Sequence, residues 1–217
     1  MRRRPLPRSP LLARRVVVGV TVALLVTTPC RFAAAGPAEP DRTPAAPVRS
    51  GDSLQPLVRA AAERLQVADR VAAAKWLSGQ PIDDPVRERQ VLDSVARRAQ
   101  AMGIDPAAAQ RIFRDQIEAS KLVQRSLHER WSAHPGEAPT TPPAPGETRP
   151  AIDRIDARLL SAIGAVRADP SSSGPLSFGF ACAAREAVAA ESTARDLGFD
   201  ALHRAGLARA LSSVCSS

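Results

Sequence analysis

The chain has no tyrosine, two tryptophans, two methionines and three cysteines among 217 residues. With no tyrosine and few β-branched runs, strand signals are absent and a β fold is excluded. No Gly-rich phosphate loop, nucleophile elbow or Ser/His/Asp order is present, so nucleotide hydrolysis and triad chemistry have nothing to stand on. His128 and His134 have no cysteine or carboxylate partners at metal-ligand spacing, so no metal site is expected. There is no internal repeat of solenoid length. The first 35 residues contain no Asp or Glu.

That acid-free stretch holds Arg2, Arg3, Arg4, Arg8, Arg14 and Arg15, an apolar run from Val16 to Val26, and then Ala33-Ala34-Ala35. The order is that of a secretory signal peptide cleaved near Ala35, which predicts a secreted or periplasmic protein. The apolar run is too short to span a bilayer comfortably, although an N-terminal anchor is the alternative. Pro29 before Cys30 argues against a lipidation signal. The segment carries seven of the thirty Lys and Arg residues, leaving 23 basic against 22 acidic residues in the mature chain. The high isoelectric point therefore belongs to the part removed, and no nucleic-acid or membrane-surface function follows from it. Cys182 and Cys215 remain, an even number in an oxidising compartment, either bridged or as two free thiols.

Residues 36–51 are rich in Pro, Ala, Gly and charge and read as a disordered lead-in. Residues 52–217 read as one all-α domain, a bundle of about six helices. The first runs from near Ser53 to Ser78. Asp84-Pro85 and Asp105-Pro106 are N-cap and first-turn pairs opening the second and third, and Gly103 stops the second. The third runs to about His134, and a Pro-rich connector covers 135–147. The fourth spans about Arg149 to Arg167, with Ile152, Ile155, Leu159, Ile163 and Val166 as its apolar row. Asp169 to Ser177 reads as a loop. The fifth and sixth span about Phe180 to Leu197 and Ala201 to Val214.

Two rows are anomalous. On the first helix Leu57, Ala61, Arg64, Ala68, Val71 and Lys75 follow core-facing spacing, which sends two cations toward the apolar side. On the third, Phe113, Ile117, Ser120, Gln124, Leu127 and Trp131 form a row with two polar residues in its middle. Buried polar groups are costly unless paired, so the pattern points to a polar, anionic ligand inside the bundle. A bland account exists for each residue: basic stems can lie along apolar surface, Asp84 can be only a cap, and Arg87 and Glu88 only first-turn charges. Glu118, Lys121 and Arg125 read as the solvent face of the third helix, and Trp76 and Trp131 as packing residues.

Jointly, Arg64, Lys75, Asp84, Arg87, Glu88, Ser120 and Gln124, carried by AAAERLQVADRVAAAKW, PIDDPVRERQVL and IDPAAAQRIFRDQIEASKLVQ, resemble the all-helical AroQ class of chorismate mutases, and in particular its exported branch. The resemblance implies the chorismate mutase II-like fold and cofactor-independent rearrangement of chorismate to prephenate, with no covalent intermediate. It assigns Arg64 and Arg149 to the two substrate carboxylates with Arg87 assisting, and Lys75 and Gln124 to the ether oxygen. Ser120 would bond a carboxylate, and Asp84 and Glu88 would meet the hydroxyl or orient Arg87 and Lys75. Arg149, in TRPAIDRIDARLL, would complete the site within one chain. Some members of the branch carry Glu where Gln124 stands, and Pro150 departs from the expected pattern. The resemblance also places Cys182 and Cys215 where the branch has a disulfide, and implies a homodimer. Two rival readings remain: a non-catalytic helical module binding a small dicarboxylate, and a structural helical protein with no small-molecule site.

Overall fold

The computed structural model describes residues 53–144, 146–169 and 178–215. The expected signal segment, the lead-in, Pro145 of the connector and most of the 169–177 loop lie outside them. Six α-helices and no strands are found among the described residues: α1 (Leu54–Ser78), α2 (Pro85–Ala101), α3 (Pro106–Ala133), α4 (Thr148–Ala168), α5 (Phe178–Asp196) and α6 (Ala201–Leu211). None is long and apolar enough to cross a membrane.

The helix ends follow local chemistry. The Asp84 side chain accepts from the Arg87 backbone N–H at 2.9 Å, and the Asp105 side chain accepts from Ala107 and Ala108. In both cases the proline that follows sits in the first turn, where its missing N–H removes no helical bond. Gly79 and Gly103 take positive φ (68° and 70°) just past α1 and α2, a conformation that costs a side-chain-bearing residue about 1–2 kcal/mol. The 135–147 stretch contains a short 3₁₀ turn at Pro135–Glu137. The sixth helix ends three residues earlier than the apolar pattern suggests, giving way to a turn after Leu211.

Helix α1 is the spine. It packs on α4, α3, α5 and α6, while α2 and α6 lie against α3. Leu57, Leu65, Phe113, Leu159, Leu160 and Leu207 are fully buried in one continuous core. Each such side chain contributes about 1.5–3 kcal/mol of burial. Two side-chain amides, Gln116 buried and Gln55 partly so, tie the elements further. Gln116 Nε2 on α3 donates to the Ala210 carbonyl on α6 at 2.9 Å, and Gln55 Nε2 on α1 donates to Thr193 Oγ1 on α5 at 2.9 Å. At Gly206 the approach is close: a Cβ there would stand 3.1 Å from Val123 and 3.3 Å from Leu65. Cys182 and Cys215 are bridged, with sulfurs 2.03 Å apart, joining the first turns of α5 to the segment after α6.

Candidate active site

Helices α1, α2, α3 and the start of α4 enclose a cavity of about 480 Å³. Its wall includes Arg64, Lys75, Asp84, Arg87, Glu88, Ser120, Gln124 and Arg149, so the residues nominated from the sequence come together in one chain. Val67, Val71, Val91, Val95, Ile117 and Ile152 supply the apolar part of the lining. The charge is asymmetric. Arg64, Lys75, Arg87, Arg98, Lys121 and Arg149 stand against Asp84, Glu88, Asp153 and Asp156, six cations to four carboxylates.

Arg64 and Lys75 lie eleven residues apart on α1, about three turns, which places one deep along the cavity and the other near the α1–α2 turn. Arg64 is fixed twice. Its Nε donates to Asp156 Oδ1 at 3.0 Å and its Nη1 to the Gln116 carbonyl at 3.2 Å. Arg64 and Asp156 side chains are each 11 % exposed. A guanidinium has five N–H donors, so three remain uncommitted. Lys75 Nζ donates to the Ile82 carbonyl at 2.8 Å, bracing the turn before α2. Burial pushes the Lys75 ammonium below the usual lysine range, with Asp84, Asp83 and Glu88 pulling partly the other way.

On α3, Ser120 and Gln124 are one turn apart and bonded to each other, with Gln124 Nε2 donating to Ser120 Oγ at 3.0 Å. Gln124 is 4 % exposed, and its buried Oε1 has no hydrogen-bond partner. The bond to Ser120 uses one of the two Nε2 N–H groups and leaves the other, together with the Ser120 O–H, as donors. Arg87 is half-buried in the first turn of α2, near Gln90. Arg149 is exposed at the cavity rim, in the first turn of α4. The amide N–H of Arg87 bonds Asp84, so Asp84 caps α2 while also facing the cavity.

Of the charged residues on the wall, Arg98, Asp153 and Asp156 are missing from the sequence reading, which places Lys121 elsewhere. Asp156 is buried beneath Arg64, although it follows Arg149 by seven and Ile152 by four, the same core-facing spacing that exposes Arg64 as an anomaly on α1. Lys121 corrects the assignment of that residue to the solvent face of α3. It is 8 % exposed and lies on the cavity wall, because it follows Ile117 by four and precedes Gln124 by three. Its ammonium meets Glu118 at 2.7 Å, Glu88 at 3.2 Å and Asp83 at 3.3 Å. Arg125, by contrast, is exposed and pairs with Asp83 at 2.6 Å. Trp76 and Trp131 pack edge-on, ring centroids 5.6 Å apart, with the His128 ring against both. His128 Nε2 lies 2.9 Å from the Ala72 carbonyl.

This chain is similar to known proteins over most of its length. Residues 55–125 match the family model described as chorismate mutase type II. The secreted chorismate mutase of Mycolicibacterium smegmatis is 39 % identical over 173 residues, covering 80 % of this chain and 92 % of that one. The secreted chorismate mutase of Mycobacterium tuberculosis is 35 % identical over 211 residues, covering 97 % and 96 %. The crystal structure of chorismate mutase from Burkholderia phymatum superimposes with a TM-score of 0.69 at 36 % identity, over 77 % of this chain and 99 % of that one. With a helical bundle, a cationic cavity and relatives matched nearly end to end, the chain belongs to the chorismate mutase type II family.

Proposed function

We propose that this chain rearranges chorismate to prephenate in the α1–α4 cavity, without a cofactor and within one subunit. The single observation that carries the reading is the Arg64–Asp156 arrangement inside a wall whose cations exceed its carboxylates by two. The substrate brings two carboxylates, which balance that excess. Arg64, held from behind, meets one of them with its remaining N–H donors, a geometry suited to paired charge-assisted bonds. Arg149 at the rim meets the other, and Arg87 assists. The reaction is unimolecular: the ether C–O bond breaks as a C–C bond forms, and negative charge grows on the ether oxygen. Lys75 Nζ and the second N–H of Gln124 Nε2 donate to that oxygen. Preorganised donors aimed at developing charge, together with confinement of the folded conformer, are what such a site can offer. Ser120 bonds a carboxylate, and Asp84 and Glu88 face the substrate hydroxyl side.

The relatives named as secreted proteins support export of this chain. On this reading residues 1–35 are the export signal, cleaved near Ala35, 36–51 the lead-in and 52–217 the catalytic domain, which pairs as a homodimer. The test is direct: mixing the purified exported chain with chorismate and following the loss of its ultraviolet absorbance, with prephenate identified as product. Saturable binding without turnover would instead indicate a non-catalytic dicarboxylate-binding module. Sedimentation of the same sample tests the dimer.

A further inference from the structure

A buried lysine surrounded by carboxylates is an unusual neighbour for a catalytic lysine. Lys121 leaves α3 with its side chain 10 % exposed and contacts Glu118 from its own helix, Glu88 from α2 and Asp83 from the α1–α2 turn. Two of those three, Asp83 and Glu88, also act electrostatically on Lys75, as does Asp84. Lys75 itself has one short partner, the Ile82 carbonyl at 2.8 Å. An ammonium has three donors, so two are left for a ligand as long as no carboxylate folds onto them. Asp84 and Glu88 are both on the cavity wall, but the Asp84 carboxylate is engaged as the cap of α2, which leaves Glu88 as the candidate to do so.

We propose that Lys121 is a positioning residue that keeps Glu88 and Asp83 engaged on the α3 side, so that Lys75 retains its free donors for the reacting oxygen. Lys121 is the buried member of these pairs, at 10 % exposure against 26 % for Glu88 and 54 % for Asp83, so it is the fixed point on which the carboxylates are held. Charged groups around the two lysines come from each neighbouring element: Lys75 from α1, Asp83 and Asp84 from the turn, Arg87 and Glu88 from α2, and Glu118 and Arg125 from α3. Arg149, Asp153 and Asp156 line the cavity from α4. Burial by itself would lower the Lys121 ammonium, but its bonds to Glu118 and Glu88 outweigh this and hold it above the usual lysine value. Lys121 therefore stays charged wherever the enzyme works. In its absence Glu88 would turn to Lys75 and compete with the substrate.

The inference rests on the proposed role of Lys75, and the experiment separates the two. Lys121→Met should lower kcat/KM about tenfold or more, chiefly in kcat. The deficit should shrink as pH falls through the carboxylate range, because protonated Glu88 releases Lys75. Lys121→Arg should recover most of the activity. A second readout needs no turnover: the titration of the Lys75 ammonium, followed by NMR with isotope-labelled lysine. Glu88→Gln should move it by at least about one pH unit more in the Lys121→Met background than in the native one, the coupling expected of a double-mutant cycle. Lys121→Gln serves where the Met variant does not fold. Equal shifts in both backgrounds, or a pH-independent deficit, would overturn the proposal. An inactive native protein with coupled shifts would overturn the catalytic reading and leave this one standing.

Discussion

The Nε of Arg64 on α1 and Oδ1 of Asp156 on α4 are 3.0 Å apart, joining residues 92 positions distant in the chain on the wall of the cavity. Removing the carboxylate leaves Arg64 with only the Gln116 carbonyl. Asp156→Ala is expected to lower kcat/KM by roughly 10- to 100-fold, equivalent to about 1.5–3 kcal/mol for a hydrogen bond to a charged group. Breaking a buried pair should also reduce stability. Asp156→Asn, which keeps an acceptor, should lose less of both. Steady-state kinetics beside urea denaturation separates the two effects, and an unchanged kcat/KM in folded Asp156→Ala would show that Arg64 needs no anchor.

Lys75→Ala should nearly abolish turnover while leaving the helical circular dichroism intact. A preorganised donor at developing charge is worth about 3–4 kcal/mol. Burial lowers the Lys75 ammonium relative to the ordinary 10.5, so its charge is lost as pH rises through that lowered value. The alkaline limb of kcat/KM in the native enzyme is therefore expected below the range of an exposed lysine. A tenfold or smaller loss in Lys75→Ala would make Lys75 a rim residue.

Gln124 is neutral, so the donor proposed for the ether oxygen is present at every ordinary pH. The native enzyme should stay active through neutrality. In Gln124→Glu the carboxyl can donate only when protonated, and its ionised form would repel the growing charge. Burial at 4 % exposure raises the carboxyl pKa and softens this effect without removing it. The pH profile of that variant should move toward acid. Coincident profiles for the two proteins would place Gln124 away from the reacting oxygen.

The Cys182–Cys215 bridge lies away from the cavity wall, joining α5 to the segment after α6. Reduction is expected to lower the melting temperature while initial activity at mild temperature persists. The chain-entropy estimate for a loop of this length is about 3.5–4 kcal/mol. Prompt loss of activity on reduction, with the fold retained, would contradict this division of roles.

His203 on α6 is held between two carboxylates, with Nε2 3.0 Å from Asp69 and Nδ1 2.7 Å from Asp200. The Asp69 bond, opposed by burial and aided by Asp200, raises the imidazolium from 6.5 to about 9. The raised folded value means that the clamp contributes fully below pH 6.5 and is lost as pH climbs through about 9. A shift of this size corresponds to an upper figure of about 3 kcal/mol. The melting temperature should therefore fall between neutral pH and pH of about 9 to 10 in the native protein. In His203→Gln it should be lower at neutral pH and flatter across that interval.

Much of the bundle is legible along the chain because its signals are local. Asp-Pro pairs open α2 and α3, Gly79 and Gly103 follow α1 and α2, and apolar spacing marks the buried faces. Arg64, Ser120 and Gln124 stand out for the same reason, as polar groups at positions where spacing demands core. Asp156 obeys that logic on α4 and escapes notice only because the row through Ile155 is the more apolar alternative. Lys121 escapes because a lysine beside Glu118 on a helix looks solvated until a second helix covers it.

Sequence by itself determined that the chain is helical, where its helices begin, and which polar residues share a face with core positions, since caps, turns and periodicity are set by neighbours within a few residues. Tertiary structure alone decided who meets whom. It set Asp156 behind Arg64, Glu88 against Lys121, the Ile82 carbonyl on Lys75 and the orphaned oxygen of Gln124 in the cavity wall. Such pairings depend on how α1, α2, α3 and α4 cross. That crossing is fixed by the sum of many weak apolar contacts, which no single local pattern encodes.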